Sequence, residues 1–222
     1  MLTQLKQQIN LVFVRMILEI LKTKSLKEVE KMVDNLSFYE WVRIERERLL
    51  INAFPDFIEN SYGETYVIEC DGNVEEVRKL VKEVLFVFNN LYIKHKWIDD
   101  IEQWKAILPH QFTKNFAREL TIEEVEKERD WFYSLAYKQK LEEAKKAAYE
   151  PWRLSDWAET MHPENRVWFW WGDTILGERT KDNYFVVAIK LLDDYYSFNP
   201  IKIFFKNCGA KNISNISQYD LY

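Results

Sequence analysis

The spacing of apolar positions changes along the chain, and the change divides it. Over the first 150 residues apolar side chains recur every three or four positions, the spacing of helices. From Pro151 onward they gather in short dense runs that read as strands.

The first predicted helix places Leu5, Ile9, Val12 and Met16 on one side and Leu11, Val14 and Leu18 on the other. A helix apolar on most sides is buried or lies at an interface. Ser25-Leu-Lys-Glu28 is a capping-box pattern and opens a short helix to about Asn35. Ser37-Phe-Tyr-Glu40 repeats it and opens a third helix carrying Trp41, Val42 and Leu49, with Pro55 beyond its end. The alternating charges from Arg43 to Arg48 read as a solvated face of that helix. Thr65 to Cys70 reads as a strand and Asp71-Gly72 as a turn. Asn73 then caps an amphipathic helix, with Val77, Leu80, Val84 and Phe88 in its stripe and Asn89-Asn90 as its end.

Asp99 or Asp100 caps a shorter helix to Leu108, and Pro109 opens another to about Glu119. Thr121-Ile-Glu-Glu124 is a further capping box. It begins the longest predicted helix, Ile122 to about Tyr149, or roughly 40 Å at 1.5 Å per residue. Val125, Phe132, Leu135 and Ala136 give its first half an apolar stripe. Its polar, Ala-rich second half predicts a helix that projects or links two lobes.

After Pro151 the segment Trp152–Thr160 is helical or irregular, and His162–Asn165 is a turn. Arg166–Trp171 is a strand apolar on both faces, with Gly172-Asp173 as a turn or bulge into a second strand ending near Gly177. Thr180–Asn183 is a hairpin-like connection to the best strand, Tyr184–Leu192, which should be central. Asn199 and Pro200 open a helix that turns Ile201, Phe204 and Phe205 inward and stops at Gly209, and the tail after Asn212 reads as loose. The expected fold is α+β: a predominantly helical N-terminal part with one short strand, then a small antiparallel sheet of about three strands and a closing helix. Residues 1–150 form the helical region and 151–222 the aromatic-rich β unit, the two packing as one globular unit.

Composition narrows the classes. Aromatics make up 16% of the chain and include nine Trp, which predicts a very aromatic core or a surface that binds something flat or apolar. The net charge is −5 and is spread evenly on either side of Pro151, so the basic footprint of a nucleic-acid binder is missing. Cys70 and Cys208 make neither a disulfide framework nor a metal pattern, and buried reduced thiols are expected. Leu11–Leu21 is too short to span a bilayer and no secretory signal is read, so a cytoplasmic protein is expected by default.

Candidate chemistry is sparse. His162 shares a turn with Glu164 beside the Trp-rich strand, and a His with a carboxylate near aromatics could do acid–base work. The simpler reading is an ordinary turn beside Pro163. Asp193 and Asp194 leave the best strand and, with Asp173 as a third ligand, could hold Mg²⁺ or Ca²⁺; a polar turn explains them as well. Most of the tryptophans fit a strand packed on both sides, which leaves Trp152 and Trp157 as the candidates for an exposed binding surface. Phosphate-loop, nucleophile-elbow and zinc-helix patterns are missing. The first expectation is therefore a non-catalytic interaction protein of inhibitor or immunity type. Its partner would be another protein, for which a basic surface would suit the acidic chain. A homodimer is the other partner considered, and no cofactor is called for. The alternative is a hydrolase using His162, Glu164 and Asp173 or Asp193.

Overall fold

The computed structural model describes residues 36–54, 63–147, 151–175, 183–193 and 196–216. The two helices expected before Asn35, the stop at Pro55, most of the Thr180–Asn183 connection and Asp194 lie outside these residues.

Helix α1 (Phe38–Leu50) opens with the expected capping box, Ser37 accepting from the Glu40 amide and Glu40 accepting from the Ser37 amide. Strand β1 (Gly63–Cys70) buries Tyr66, Ile68 and Cys70 at alternate positions. Helix α2 (Val74–Ile93) is capped by Asn73, whose Oδ1 accepts from the Glu75 amide at 2.9 Å. It does not stop at Asn89-Asn90. Asn89 sits buried on the apolar stripe, and its side-chain amide donates to the Leu85 carbonyl at 3.0 Å and to Glu45 at 2.9 Å. Its side-chain amide is held inside the fold by those two acceptors, and the helix runs a turn further to Ile93.

Asp100 caps α3 (Ile101–Ile107), as expected. The helix expected from Pro109 to Glu119 is a single turn, α4 (His110–Thr113). Beyond it the backbone pairs with the start of the second region, the Ala117 amide donating to the Trp152 carbonyl at 2.8 Å. Glu119 then supplies the cap that α7 (Leu154–Thr160) lacks, accepting from the amide and hydroxyl of Ser155.

The long helix expected from Ile122 is two helices, α5 (Ile122–Ser134) and α6 (Tyr137–Ala147). The Thr121–Glu124 capping box is present. The break comes where Ser134 Oγ donates to the Trp131 carbonyl at 2.6 Å, a side chain competing with the helix ladder, and Leu135 swings to ψ 145. Gln139 caps the restart by accepting from the Ala136 amide at 3.0 Å.

Among the described residues four antiparallel strands form one sheet in the order β2-β3-β1-β4. Strand β2 (Trp168–Thr174) is buried along almost its whole length, and β3 (Tyr184–Leu191) is central, as its apolar run predicts. Gly172-Asp173 makes no turn. The strand continues through it with a bulge that leaves Trp171 as the extra residue. The closing helix α8 (Asn199–Asn207) turns Ile201, Phe204 and Phe205 inward. Gly209 ends it at φ +104, a conformation that only glycine adopts without strain. Strand β4 (Ala210–Asn215), paired with β1, takes in the first residues of the segment read as a loose tail, Ile213 to Asn215, and residues 217–222 lie outside those described. β1 from the first region thus lies between β3 and β4 of the second. Phe204 of α8 meets Trp157 of α7 at 5.8 Å and Trp168 of β2 at 5.5 Å, while Trp41 of α1 stacks on Phe169 at 6.1 Å from centroid to centroid.

Candidate functional site

Glu45 and Arg48 lie within the stretch that reads as a solvated face, yet both are buried. They stand one turn apart on α1, on the side that packs against β2, so they meet the edge of that strand with which no described strand pairs. Glu45 Oε1 accepts from the Trp170 amide at 2.7 Å and from Arg166 Nη2 at 2.6 Å. Arg48 donates from Nε to the Trp171 carbonyl, and its guanidinium lies 4.0 Å above the Trp171 ring. Where α1 ends, Asn52 takes a left-handed turn and the Ala53 carbonyl accepts from the Asp173 amide at 3.1 Å. Helix side chains and a short backbone segment thus satisfy an edge that would otherwise be an open template for pairing. These charges are structural, and they account for a chemistry-rich region that resembles a site.

Asp173 belongs to the same construction. Its carboxylate is buried, with Arg78 Nε donating to Oδ2 at 2.5 Å. Lys82 Nζ stands 3.0 Å from Oδ1, an ion pair without hydrogen-bond angles. His162 lies beyond the other end of β2. Its ring packs edge-on against Trp97 at 4.9 Å, and its Nδ1 accepts from the Glu164 amide at 3.3 Å. Glu164 itself is exposed. The structure therefore keeps His162 and Glu164 together as a turn and sets Asp173 apart, with about 16 Å of strand between Trp168 and Asp173 at 3.3 Å per residue. A hollow of about 250 Å³ beside that turn is lined by residues including Glu159, Thr160, Asn165 and Trp168, and by neither His162 nor Glu164.

The other candidates separate in the same way. Trp157, expected at the surface, is wholly buried and donates from Nε1 to the Pro200 carbonyl at 3.1 Å. The short helix α7 turns it into the aromatic cluster around Phe112 and Phe204, which overrides its place at the margin of the sequence run. Trp152 is half-buried against the core. Asp193 is exposed, and among the described residues no group of three or more His, Cys, Asp or Glu could hold a metal ion. Cys70 and Cys208 are buried and free. Burial pushes the Cys70 thiol up to about 11, with Asp71 and Glu69 adding to the shift, and burial alone raises Cys208 well above its ordinary value.

The exposed apolar surface is concentrated elsewhere. No residue of α5 is buried. Trp131 is 52% exposed, Tyr133 71%, Tyr137 78% and Ile122 77%. Val125, Phe132 and Leu141 on the same two helices are also exposed. Of the apolar stripe expected on the first half, Val125, Phe132 and Ala136 are exposed and Leu135 is half-buried, and α5–α6 is an arm. It is tied down near its base. Arg118 grips Glu124 with two bonds of 2.8 Å, and Arg153 reaches Glu128 at 2.9 Å. The Arg118 contact, with the Thr121 amide, lowers the Glu124 carboxyl to about 2.

Sequence reading missed Trp131, Tyr133 and Tyr137 as surface candidates. A signal was available: three consecutive aromatics, Trp131-Phe-Tyr133, point in directions about 100° apart on a helix and cannot all face one core. Comparison with known proteins adds no assignment, since no family model, no curated protein and no solved structure matches this chain. Among the described residues no helix is long and apolar enough to cross a membrane.

Proposed function

We propose that this chain is a protein-interaction protein and that the α5–α6 arm is its docking element. The observation that carries the reading is the exposure of Trp131, Tyr133 and Tyr137 on two helices of which no described residue is buried. Aromatics that combine an apolar ring with a polar tip are the side chains most enriched in interface hot spots. On α5 the apolar positions Ile122, Val125, Phe132 and Tyr133 share a face roughly 100° wide, with Arg129 set among them beside its partner Asp130, and Trp131 lies on the opposite side of the helix. Glu126 and Asp130 flank that face on one side, and on the other stands Glu128, already engaged by Arg153. Such a surface suits a partner that is apolar at the centre and basic at the rim. An inhibitor or immunity role fits the same arrangement, because binding and blocking need a rigid charged patch and no catalytic group.

The test is affinity capture from lysate of the source cells with the full chain as bait, counting a second copy of the chain as a partner. Trp131→Ser/Tyr133→Ser/Tyr137→Ser should lose a captured protein that Ile93→Ser, an exposed apolar change at the end of α2, retains. Circular dichroism confirms that both variants are folded. Unchanged capture by the arm variant, or capture of nothing by any bait, overturns the reading.

A further inference from the structure

The surface that α5 calls for is present on this chain. Helix α5 carries five acidic residues and two basic ones, whereas α6 carries four lysines and two glutamates. On α6, Tyr137 and Leu141 lie one turn apart and form a short apolar stripe that is exposed. Lys138 and Lys145 flank it on one side and Lys140 on the other. Lys140 already leans over aromatic rings of α5, 5.8 Å from Phe132 and 5.6 Å from Tyr133, so an α6 lysine on an α5 aromatic is a contact this surface makes. One helix is thus an apolar stripe whose single cation, Arg129, is paired with Asp130 and whose rim is acidic, and the other is a lysine-rimmed stripe.

We infer that the occupant of the arm is a second copy of this chain, with α5 of each protomer lying against α6 of the other. This rests on the reading of the arm as the docking element and adds the identity of the partner. A two-fold axis makes the pairing reciprocal: every α5–α6 contact occurs twice, and the patch needs no complement beyond itself. A head-on α5–α5 pairing would set acidic rims together, and an α6–α6 pairing would set lysines together. The arm's 13- and 11-residue helices offer a surface at the small end of stable interfaces, so the dimer is expected to depend on concentration.

The experiment is sedimentation velocity on the full chain from about 1 to about 100 µM, where weak dimers dissociate measurably. Wild type should shift from monomer to dimer across that range. Glu126→Lys/Asp130→Lys and Lys138→Glu/Lys145→Glu should each weaken self-association on the order of tenfold or more, since each reverses four rim charges per dimer. An equimolar mixture of the two variants should restore the dimer, because both reciprocal contacts are then between opposite charges. All four positions are exposed, and circular dichroism checks that the arm stays helical. Wild type that stays monomeric throughout, a dimer indifferent to both reversals, or a mixture no tighter than its parts overturns the inference. A monomer whose arm amides resist hydrogen exchange would assign the arm to another segment of the same chain. A monomer that still captures a foreign protein through Trp131, Tyr133 and Tyr137 would overturn the dimer and leave the docking reading standing.

Discussion

Replacing Glu45 by alanine should destabilise the protein more than almost any other single change. The carboxylate receives three donors: Arg166 Nη2 at 2.6 Å, the Trp170 amide at 2.7 Å and Asn89 Nδ2 at 2.9 Å. The side chains of Glu45 and Arg166 are 1% and 0% exposed. Glu45→Ala therefore leaves a guanidinium in the interior without its counter-charge and a strand-edge amide without an acceptor. The ring faces of Phe169 at 4.5 Å and Trp168 at 5.1 Å offset part of that loss. Breaking a buried pair from one side costs about 3–5 kcal/mol. Against a total stability of about 5–15 kcal/mol this is a large fraction. For a chain of this length it should lower Tm by roughly 6–20 °C. Urea unfolding followed by tryptophan fluorescence measures the loss. The companion double mutant Glu45→Leu/Arg166→Met removes both charges, and it should lose at least about 2 kcal/mol less than the two single losses added together. A loss below about 1 kcal/mol for Glu45→Ala, or strict additivity in the cycle, would refute the account of the pair as a buried clamp on the β2 edge.

Three further predictions concern other buried positions. At position 172 a Cβ would lie 2.4 Å from the Phe54 carbonyl oxygen and 2.8 Å from that of Ala53, so Gly172→Ala should cost about 1–3 kcal/mol by forcing the 53–54 backbone off the strand. Faster hydrogen exchange at the Asp173 amide would report the detachment, and a variant as stable as wild type would contradict it. Cys70 and Cys208 should resist alkylation in the native chain at about pH 8 and react once it is unfolded, because both are buried with raised values. The sign for stability follows from the same shift. Cys70 rises from 9.0 to about 11 on folding, so its contribution is complete below pH 9.0 and is lost as pH climbs through about 11. Burial of the Tyr66 and Tyr92 phenols acts in the same direction. Urea midpoints that do not fall across that alkaline window would count against it.

How much of this was legible without the fold depends on how far apart the deciding groups lie. The capping boxes at Ser37 and Thr121, the Asn73 and Asp100 caps, the central strand Tyr184–Leu191 and the closing helix are written in windows of a few residues. The forces behind them, an orphan amide finding an oxygen or a stripe finding one side, act within those windows. The α+β class follows from the same local signals. Strand β4 was not legible, since its pairing with β1 is made by backbone groups and its side chains are mostly polar. The break at Leu135 was hidden for a related reason: it falls inside an otherwise helical pattern, where the one local mark is the Ser134 hydroxyl bonding back to the Trp131 carbonyl.

The candidate site shows the same boundary. The sequence by itself determined that Glu45 and Arg48 share a helix face, that Trp131-Phe-Tyr133 cannot share one, and that α5 is acidic where α6 is rich in lysine. It could not determine what lies opposite each face. Glu45 and Arg48 would be ordinary solvated charges if β2, more than 120 positions later, did not bring its open edge against them. Phe132 would be a core residue if the body of the fold reached α5. Only tertiary structure decided these outcomes, because desolvation depends on what stands across the gap, and a residue's own neighbours in the chain do not specify that.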